Sequence, residues 1–226
     1  MQIRSYILLV ALCICFVTKS HSQPRNYEIR NGIMLGGGLT QYDITSENFE
    51  TKPGNGWFIS AGLSGDLPHK WFNISYSMQL SENKVEFSGR MTDDVAGEEA
   101  VEYKLFAVQA GLVFHIKLIQ SFFTLDLGPQ LQYNSGLELT DDTQESYFLN
   151  GYDALGVMDI TEISNFNING MAGLTAGYGA FKLRAQYIYG VLNSFEKLNG
   201  QNLNTDGTTQ FKGNQSMFTF GAFITF

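Results

Sequence analysis

Apolar and polar residues alternate with a period of two in eight segments of this chain, and no other feature limits the possible folds as much. Successive side chains of a β-strand point to opposite faces, so each segment predicts a strand with one apolar face. The apolar sets, in chain order, are Ile29, Ile33, Leu35, Leu39; Trp57, Ile59, Ala61, Leu63; Phe72, Ile74, Tyr76, Met78, Leu80; Phe106, Val108, Ala110, Leu112, Phe114, Ile116; Phe123, Leu125, Leu127, Leu131, Tyr133; Phe166, Ile168, Ala172, Leu174, Ala176, Tyr178; Phe181, Leu183, Ala185, Tyr187, Tyr189, Val191; and Phe218, Phe220, Ala222, Ile224, Phe226. The pattern predicts an all-β fold.

The opposite faces carry amide and charged side chains at mid-strand, among them Gln109, Asp126 and Asn167. Two kinds of barrel could be built from such strands. In a secreted, water-soluble barrel such as a lipocalin the apolar faces point inward, whereas in a transmembrane barrel they meet lipid and the polar faces line the lumen. Aromatic residues near the strand ends favour the transmembrane barrel, because they are typical of interfacial girdles.

The connections between the predicted strands alternate in length. Tight links lie near residues 66–69, 117–120 and 177–180. Long polar segments lie near residues 43–55, 82–100, 134–164 and 193–213. Short turns on one side and long loops on the other are the arrangement of outer-membrane barrels, with both termini in the periplasm. We therefore predict an eight-stranded antiparallel up-and-down transmembrane β-barrel in the outer membrane, in contact with its lipid and with extracellular loops.

The last strand ends on an aromatic residue, Phe226, and its apolar face continues back through Ile224 and Phe220. This pattern resembles the terminal β-signal by which bacterial outer-membrane barrels are recognised for assembly. The resemblance implies the barrel-assembly machinery as a partner. An edge strand of a soluble sandwich is the alternative, but such a strand would require neither an apolar outer face nor a terminal phenylalanine.

Residues 1–22 have the features of a secretory signal peptide. Arg4 precedes an apolar run at residues 6–17, and small residues occupy the −3 and −1 positions of the sequence Ser20-His21-Ser22. The run is shorter than the roughly 20 residues that a membrane-spanning helix needs. Cleavage after this segment leaves residues 23–226 as one outer-membrane β-barrel domain.

The composition of the remaining chain excludes two classes of chemistry. Both cysteines, Cys13 and Cys15, lie in the predicted signal peptide, so we expect neither disulfides nor thiol chemistry in the mature protein. Loss of Arg4 and Lys19 with that segment changes the formal charge from −8 to −10. A protein this acidic is a poor candidate for nucleic-acid binding.

Several stretches together resemble the PorT-like family of small outer-membrane β-barrels common in Bacteroidetes. They are the glycine-rich run Gly36-Gly37-Gly38-Leu39, the central run from Val101 to Pro129, the run from Arg184 to Gly190 and the terminal strand. The resemblance covers essentially the whole mature chain and implies an outer-membrane barrel. Some relatives take part in type IX secretion and most have no assigned activity, and the resemblance carries over no catalytic residue.

The interior of the predicted barrel should be filled by its own side chains, because eight strands leave no room for an open pore. Inward-facing charges then need partners in a site of low dielectric constant. We predict a lumenal polar network of Arg30, Asp126, Arg184 and Gln186. Within it, Asp126 and Arg184 form an ion pair, with Gln186 and Thr124 as hydrogen-bonding neighbours.

Two further cations, Lys117 and Lys182, fall on inward positions nearest the tight links. They could belong to the same network. The alternative is that they are solvated charges at the mouth of the barrel.

The long loops hold most of the acidic residues: Glu82, Glu86, Asp93, Asp94, Glu98, Glu99, Glu138, Asp141, Asp142, Glu145, Asp153, Asp159 and Glu162. Either they form a site for a divalent cation, which prefers oxygen ligands, or they form a solvated acidic rim. No EF-hand spacing is present. The third loop contains Tyr147, Phe148 and Tyr152, and long loops commonly carry function. These aromatic residues are the predicted partner-binding site.

The mature chain has two histidines, His69 and His115, and their positions bear on whether the protein could be an enzyme. Both fall at the predicted periplasmic end, so neither could serve as a base for a Ser-His hydrolase acting on the outer leaflet. We therefore predict a non-enzymatic integral barrel with no cofactor, in a structural or interaction role with acidic external loops. The alternative is an accessory component of a protein secretion or envelope-assembly complex.

Overall fold

The computed structural model describes residues 29–92, 97–201, 203, 205 and 210–226, except for the side chain of Arg30. The predicted signal peptide and the loop residues Asp93 and Asp94 lie outside the described residues. The strands are β1 (Arg30–Ser46), β2 (Thr51–Asp66), β3 (Phe72–Arg90), β4 (Glu99–Ile119), β5 (Phe123–Asn134), β6 (Glu138–Leu139), β7 (Phe148–Leu149), β8 (Phe166–Tyr178), β9 (Phe181–Gly190) and β10 (Gly213–Thr225).

Eight of these strands close into a ring in the order β1-β2-β3-β4-β5-β8-β9-β10, and every pairing is antiparallel. Closure is made by β10 and β1, which pair from Ser46 with Gly213 to Met34 with Thr225. The two-residue strands β6 and β7 pair with β4 and β3. The predicted eight-stranded antiparallel up-and-down barrel is therefore confirmed. In the described part of the chain, no helix is long and apolar enough to cross a membrane.

Three tight turns lie at one end of the barrel, which we call the turn end. They join β2 to β3, β4 to β5 and β8 to β9, as the tight links of the sequence predict. Gly179 in the last turn has φ of 59°, in the left-handed region that glycine occupies without a steric penalty. The opposite end, where the remaining connections lie, is the loop end.

The outward side chains form an apolar belt around the barrel, made of the eight apolar sets that the sequence predicts. Most belt residues are exposed, as shown by Leu39 at 70% and Leu131 at 52% of their full surface. Their neighbours on the polar faces are buried, as shown by Gln109 at 1% and Asp126 at 0%. A water-soluble barrel of the lipocalin kind would bury the apolar set, so that alternative is wrong.

The first four strands continue beyond the belt at the loop end, which the sequence analysis did not predict. β3 is 19 residues long and β4 is 21. The prediction of a long loop near residues 43–55 is wrong, because the connection between β1 and β2 is limited to residues 47–50. The loop predicted near residues 82–100 is likewise reduced to residues 91–98.

The two faces of these strands exchange polarity where the belt ends. Facing inward beyond the belt are Tyr42, Ile44, Val85, Phe87, Val101, Tyr103 and Leu105. Facing outward are Glu82, Lys84, Glu86, Glu102 and Lys104, with ion pairs of 2.8 Å from Lys84 to Glu102 and 3.1 Å from Lys104 to Glu138. Alternation therefore persists with the opposite sense, and the charged face made these strand extensions look like loops in the sequence.

Loops cover this inner apolar surface and form a cap. The cap consists of the described parts of the connections β1–β2, β5–β8 and β9–β10 together with the strand extensions. Its apolar side chains pack into one cluster, the cap core, which includes Phe49, Phe87, Leu137, Leu149, Tyr152, Leu155, Val157, Ile160, Ile163, Phe195, Leu198 and Phe211. Full burial of a side chain of this size typically contributes about 1.5–3 kcal/mol. In its described residues, the loop end is thus a folded hydrophobic core.

Candidate functional site

The Asp126 carboxylate is the centre of the lumenal polar network. It lies on β5 opposite His115 of β4 and Gly173 of β8, and it is fully buried. Its Oδ1 accepts a hydrogen bond of 2.7 Å from Thr124 Oγ1, and its Oδ2 accepts one of 2.5 Å from Thr175 Oγ1. A buried carboxylate is stable only when such donors replace the water it has lost.

Arg184 on β9 brings a positive charge to this carboxylate. Its Nε lies 3.7 Å from Asp126 Oδ2 and donates a hydrogen bond of 3.1 Å to Thr175 Oγ1. The guanidinium carbon stands 4.4 Å from the ring centre of Phe223, and Nη2 is 3.6 Å from Met34 Sδ. The fold therefore brings Asp126 and Arg184 together across β8, and Thr175 connects them.

The other predicted members of the network are placed differently. Thr124 contacts Asp126 directly. Gln186 lies two residues after Arg184 on the same inward face and is 6% exposed, and its Nε2 has no hydrogen-bond partner among the described residues. The side chain of Arg30 lies outside the described residues, so its predicted place in the network stays a prediction.

His115 extends the network in a way that the sequence analysis missed. Its Nδ1 lies 2.7 Å from Asp126 Oδ1, and its Nε2 lies 2.7 Å from Ser75 Oγ. This is the order of groups in a Ser-His-Asp triad. Asn73 pairs with His115 and Ser75 pairs with Val113, so Ser75 is a diagonal neighbour of His115 on the inward face. The register of the β3–β4 pair sets this arrangement, and the alternation of the sequence does not fix that register.

These three groups differ from the active site of a hydrolase because they are buried. Ser75 is 1% exposed, and Asp126 is fully buried. A substrate carbonyl would have to come within about 3–3.5 Å of Ser75 Oγ for attack. The cavity at the turn end is lined by Ser64 and Asn73, which neighbour Ser75, and not by Ser75 itself. The chain of hydrogen bonds therefore orients and stabilises the buried groups.

A layer of amide side chains fills the lumen between this network and the cap core. Gln79 Nε2 donates to Gln109 Oε1 at 2.8 Å, and Gln109 Nε2 donates to Gln132 Oε1 at 3.0 Å. Asn169 Nδ2 donates to the same Gln132 oxygen at 2.7 Å, and Gln132 Nε2 donates to Gln215 Oε1 at 3.1 Å. An amide carries both donors and an acceptor, so such side chains can form a continuous layer. These five residues come from five strands of the ring and are buried, so they fill much of the cross-section.

Three aromatic residues are predicted to bind a partner, and their side chains point mostly into the cap. Tyr152 is 7% exposed and belongs to the cap core, with its ring centre 5.7 Å from that of Phe49. Tyr147 is half-buried and packs against the same core. Phe148 is half-buried on β7, and the Arg90 guanidinium lies 5.8 Å from its ring centre. Covering the cap core removes much of these rings from water, and their role in binding a partner stays a prediction.

The acidic side chains of the cap are dispersed, and some stabilise the loops. Asp141 Oδ1 accepts hydrogen bonds from the Thr143 hydroxyl and backbone N–H, which lower the pKa of the Asp141 carboxyl. Asp159 Oδ2 accepts one of 2.9 Å from the Gly156 N–H. Within the described ranges, no group of three or more His, Cys, Asp or Glu side chains is arranged to hold a metal ion.

No protein-family model and no curated protein matches this chain. The resemblance to the PorT-like family therefore stays a prediction, as does the assignment to Bacteroidetes.

Solved structures with a similar fold are small outer-membrane β-barrel proteins. Neisserial surface protein A is 14% identical, with 88% of this chain and 99% of that chain covered and a TM-score of 0.47. Ail, the attachment invasion locus protein of Yersinia pestis, solved with the heparin analogue sucrose octasulfate, is 14% identical, with coverages of 87% and 99% and a TM-score of 0.43. The outer membrane protein OprG of Pseudomonas aeruginosa is 10% identical, with coverages of 87% and 95% and a TM-score of 0.47. These similarities are too low to indicate a function.

Proposed function

We propose that this protein is an integral, non-enzymatic β-barrel of the outer membrane, which spans the bilayer with its apolar belt and presents the cap to the exterior. The observation that carries the proposal is the exchange of polarity along single strands. On the outward face of β3, Met78 and Leu80 are followed by Glu82 and Lys84. Monomeric soluble proteins rarely expose apolar patches beyond a few hundred Å², so an exposed belt around the whole barrel favours contact with lipid.

The height of the belt supports the proposal. On β5 the belt runs from Phe123 to Tyr133. With a rise of about 3.3 Å per residue and a tilt of about 40°, this stretch is about 25 Å tall, as expected for a membrane barrel. Aromatic residues border it: Trp71, Phe122, Tyr178 and Phe226 at the turn end, and Trp57, Tyr133, Phe166 and Tyr189 at the loop end.

The proposed orientation places the turn end in the periplasm and the cap outside, because outer-membrane barrels have short periplasmic turns. The terminal strand supports a second part of the proposal. Phe226 N donates to Ile33 O at 2.9 Å, and Ile33 N donates to Phe226 O at 3.1 Å, so the last residue is part of the closed ring. We infer that the barrel-assembly machinery recognises this strand before it pairs with β1.

The filled lumen and the folded cap favour a structural or interaction role over transport. The amide layer and the cap core lie in series along the barrel axis, so a solute would have to displace both. The groups that the cap offers to an external partner are its exposed carboxylates, which include Glu98, Glu99, Asp141, Asp142 and Glu145. A partner with a basic surface fits this charge.

Refolding of residues 23–226 from urea, with and without phospholipid vesicles, tests the membrane placement. We expect β-structure by circular dichroism and heat-modifiable gel migration in the presence of vesicles. In plain buffer we expect aggregation. A soluble, folded monomer in the absence of any amphiphile would contradict the proposal.

Co-purification from detergent-solubilised outer membranes tests the role. A barrel recovered alone supports the structural or interaction role. Envelope proteins recovered in stoichiometric amounts would instead indicate an accessory part in secretion or envelope assembly.

A further inference from the structure

A cavity of about 370 Å³ opens at the turn end of the barrel, and we call it the mouth cavity. Its wall is formed by inward residues of several strands, among them Lys182, Asn73 and Thr225. Its rim includes Phe122 and Phe226, which belong to the aromatic border of the belt. The cavity therefore lies between the buried polar network and the level at which the belt ends.

Lys182 lines this cavity and lacks an ion partner among the described residues. It is half-buried, and no described carboxylate oxygen lies within 4.0 Å of its Nζ. Two carboxylates interact with its charge at longer range, Asp66, which lines the same cavity, and Asp126, and both are engaged by other groups. Asp66 Oδ1 is 3.5 Å from Lys117 Nζ, and Asp126 is bound by His115 and Arg184. A half-buried ammonium group without a counter-ion favours the binding of an anion next to it.

The wall around Lys182 is shaped to hold the lysine side chain against β8. Gly177 pairs with Lys182, and a Cβ atom added at Gly177 would lie 2.9 Å from Lys182 Cγ and 2.6 Å from its Cα. The same atom would lie still closer to the Phe181 carbonyl oxygen, so glycine at this position admits the close approach of the β9 backbone together with the lysine stem. Thr225 Oγ1 is buried, lines the same cavity and has no hydrogen-bond partner among the described residues. The cavity thus combines an unpaired cation with an unused hydroxyl group.

We propose that the mouth cavity binds a phosphate group through the Lys182 ammonium and the Thr225 hydroxyl. Phosphate oxygens accept several hydrogen bonds and pair well with lysine. The position of the rim favours phosphate, because Phe122 and Phe226 lie where the proposed membrane placement puts lipid headgroups. The phosphate belongs either to an inner-leaflet lipid or to a soluble phosphate of the periplasm, and only the lipid source rests on the proposed function.

Titration with inorganic phosphate, followed by the amide NMR signals of Gly177, Lys182 and Thr225, tests the soluble source. The protein is held in a phosphate-free maltoside detergent, and sodium chloride keeps the ionic strength constant. We expect saturable shifts in the wild type. Lys182→Met, which keeps most of the stem but removes the charge, should weaken binding about tenfold or more, as expected for loss of a charge-assisted hydrogen bond. Lys70→Met at the same end is the matched control and should bind like the wild type.

The lipid source is tested by comparing the same signals in bilayers of phosphatidylglycerol and in bilayers of a phosphate-free glycolipid. A difference that Lys182→Met abolishes and Lys182→Arg restores supports binding of a headgroup. Thr225→Val, which removes only the hydroxyl, serves as a second variant if Lys182→Met fails to fold. Mouth signals that respond neither to inorganic phosphate nor to phosphatidylglycerol would overturn the inference. Failure to insert into bilayers, with the phosphate titration intact, would instead count against the membrane placement alone.

Discussion

The belt and the cap are built from the same strands with opposite polarity. In the belt, β3 points Tyr76 and Met78 outward and Ser75 and Gln79 inward. In the cap, the same strand points charged side chains outward and Val85 and Phe87 inward. The alternation of the strand is continuous, and only its sense changes.

The comparison shows that the surroundings of the barrel decide what its interior contains. In the proposed membrane placement lipid covers the belt, so apolar side chains gain by facing out, and the polar interior is held by hydrogen bonds among its own side chains. Where water covers the outside, the apolar side chains gain by packing inside. One chain therefore has a polar core inside the belt and a hydrophobic core inside the cap.

The largest expected effect is the loss of a ring from the cap core. Phe87 is 1% exposed and has edge contacts with Phe49 and Tyr103. Phe87→Ala should lower the free energy of unfolding of the cap by about 3–5 kcal/mol, because it leaves a cavity. Chymotrypsin digestion against urea concentration measures the loss. Phe220→Ala in the belt is the control, and its loss should be clearly smaller. Equal losses would remove the distinction between the two regions.

A charge placed on the outward face should have opposite consequences in the two regions. Leu127 lies near the middle of the belt on β5, and Leu127→Arg should cost about 2–4 kcal/mol in a bilayer. Thr45 faces outward on the extension of β1, and Thr45→Arg should change stability by less than about 0.5 kcal/mol. Urea midpoints in vesicles of one composition compare the two variants. A tolerated arginine at position 127 would show that this face does not meet lipid.

The stability of the polar core inside the belt should depend on the buried ion pair between Asp126 and Arg184. Arg184→Met should lower the stability in detergent by about 1.5–3 kcal/mol, since Thr175 loses a charged donor and Asp126 loses a nearby positive charge. Asp126 keeps its contacts with His115, Thr124 and Thr175. Combination with Asp126→Asn in a double-mutant cycle should show coupling between the two sites. An unchanged thermal midpoint for Arg184→Met would mean that the pair does not stabilise the lumen.

The smallest effect is expected from the ion pairs on the outside of the cap. Lys84 and Glu102 remain about one-third exposed, so Lys84→Met should cost about 0.2–1 kcal/mol. The hydrogen bond to Glu102 raises the pKa of Lys84 above its ordinary value of 10.5. The contribution of the pair should therefore be constant from neutral pH up to that value and be lost as the pH rises through the folded-state pKa. A loss near neutral pH would contradict this assignment.

The belt could be predicted because its residues obey one simple rule along every strand. Leu112 and Phe114, for example, face outward as their parity predicts. The cap could not be predicted in the same way. Glu82, Lys84 and Glu86 made the end of β3 resemble a polar loop, although Val85 and Phe87 continue the alternation between them. Parity alone identifies two faces, and it does not say where the surroundings change.

For the lumenal polar network, the sequence predicts which residues share the inward face at similar heights, but not which side chains contact each other. The proximity of Asp126 and Arg184 follows from parity and equal height above the tight turns. The role of Thr175 as their connection and the position of Ser75 beside His115 depend on strand register, which the sequence pattern does not fix. Burial of Tyr152 in the cap core depends on the fold of a long loop, for which no periodic signal exists.

Spin labels along one face of β3 test the central claim most directly. The chain has two cysteines, Cys13 and Cys15, both in the predicted signal peptide, so single cysteines can be introduced into the mature protein. Labels at positions 76, 78, 80, 82, 84 and 86 all face outward. In vesicles, we expect contact with lipid-soluble oxygen at positions 76–80 and contact with a water-soluble nickel reagent at positions 84–86. Equal access of the nickel reagent to all six positions would contradict the account.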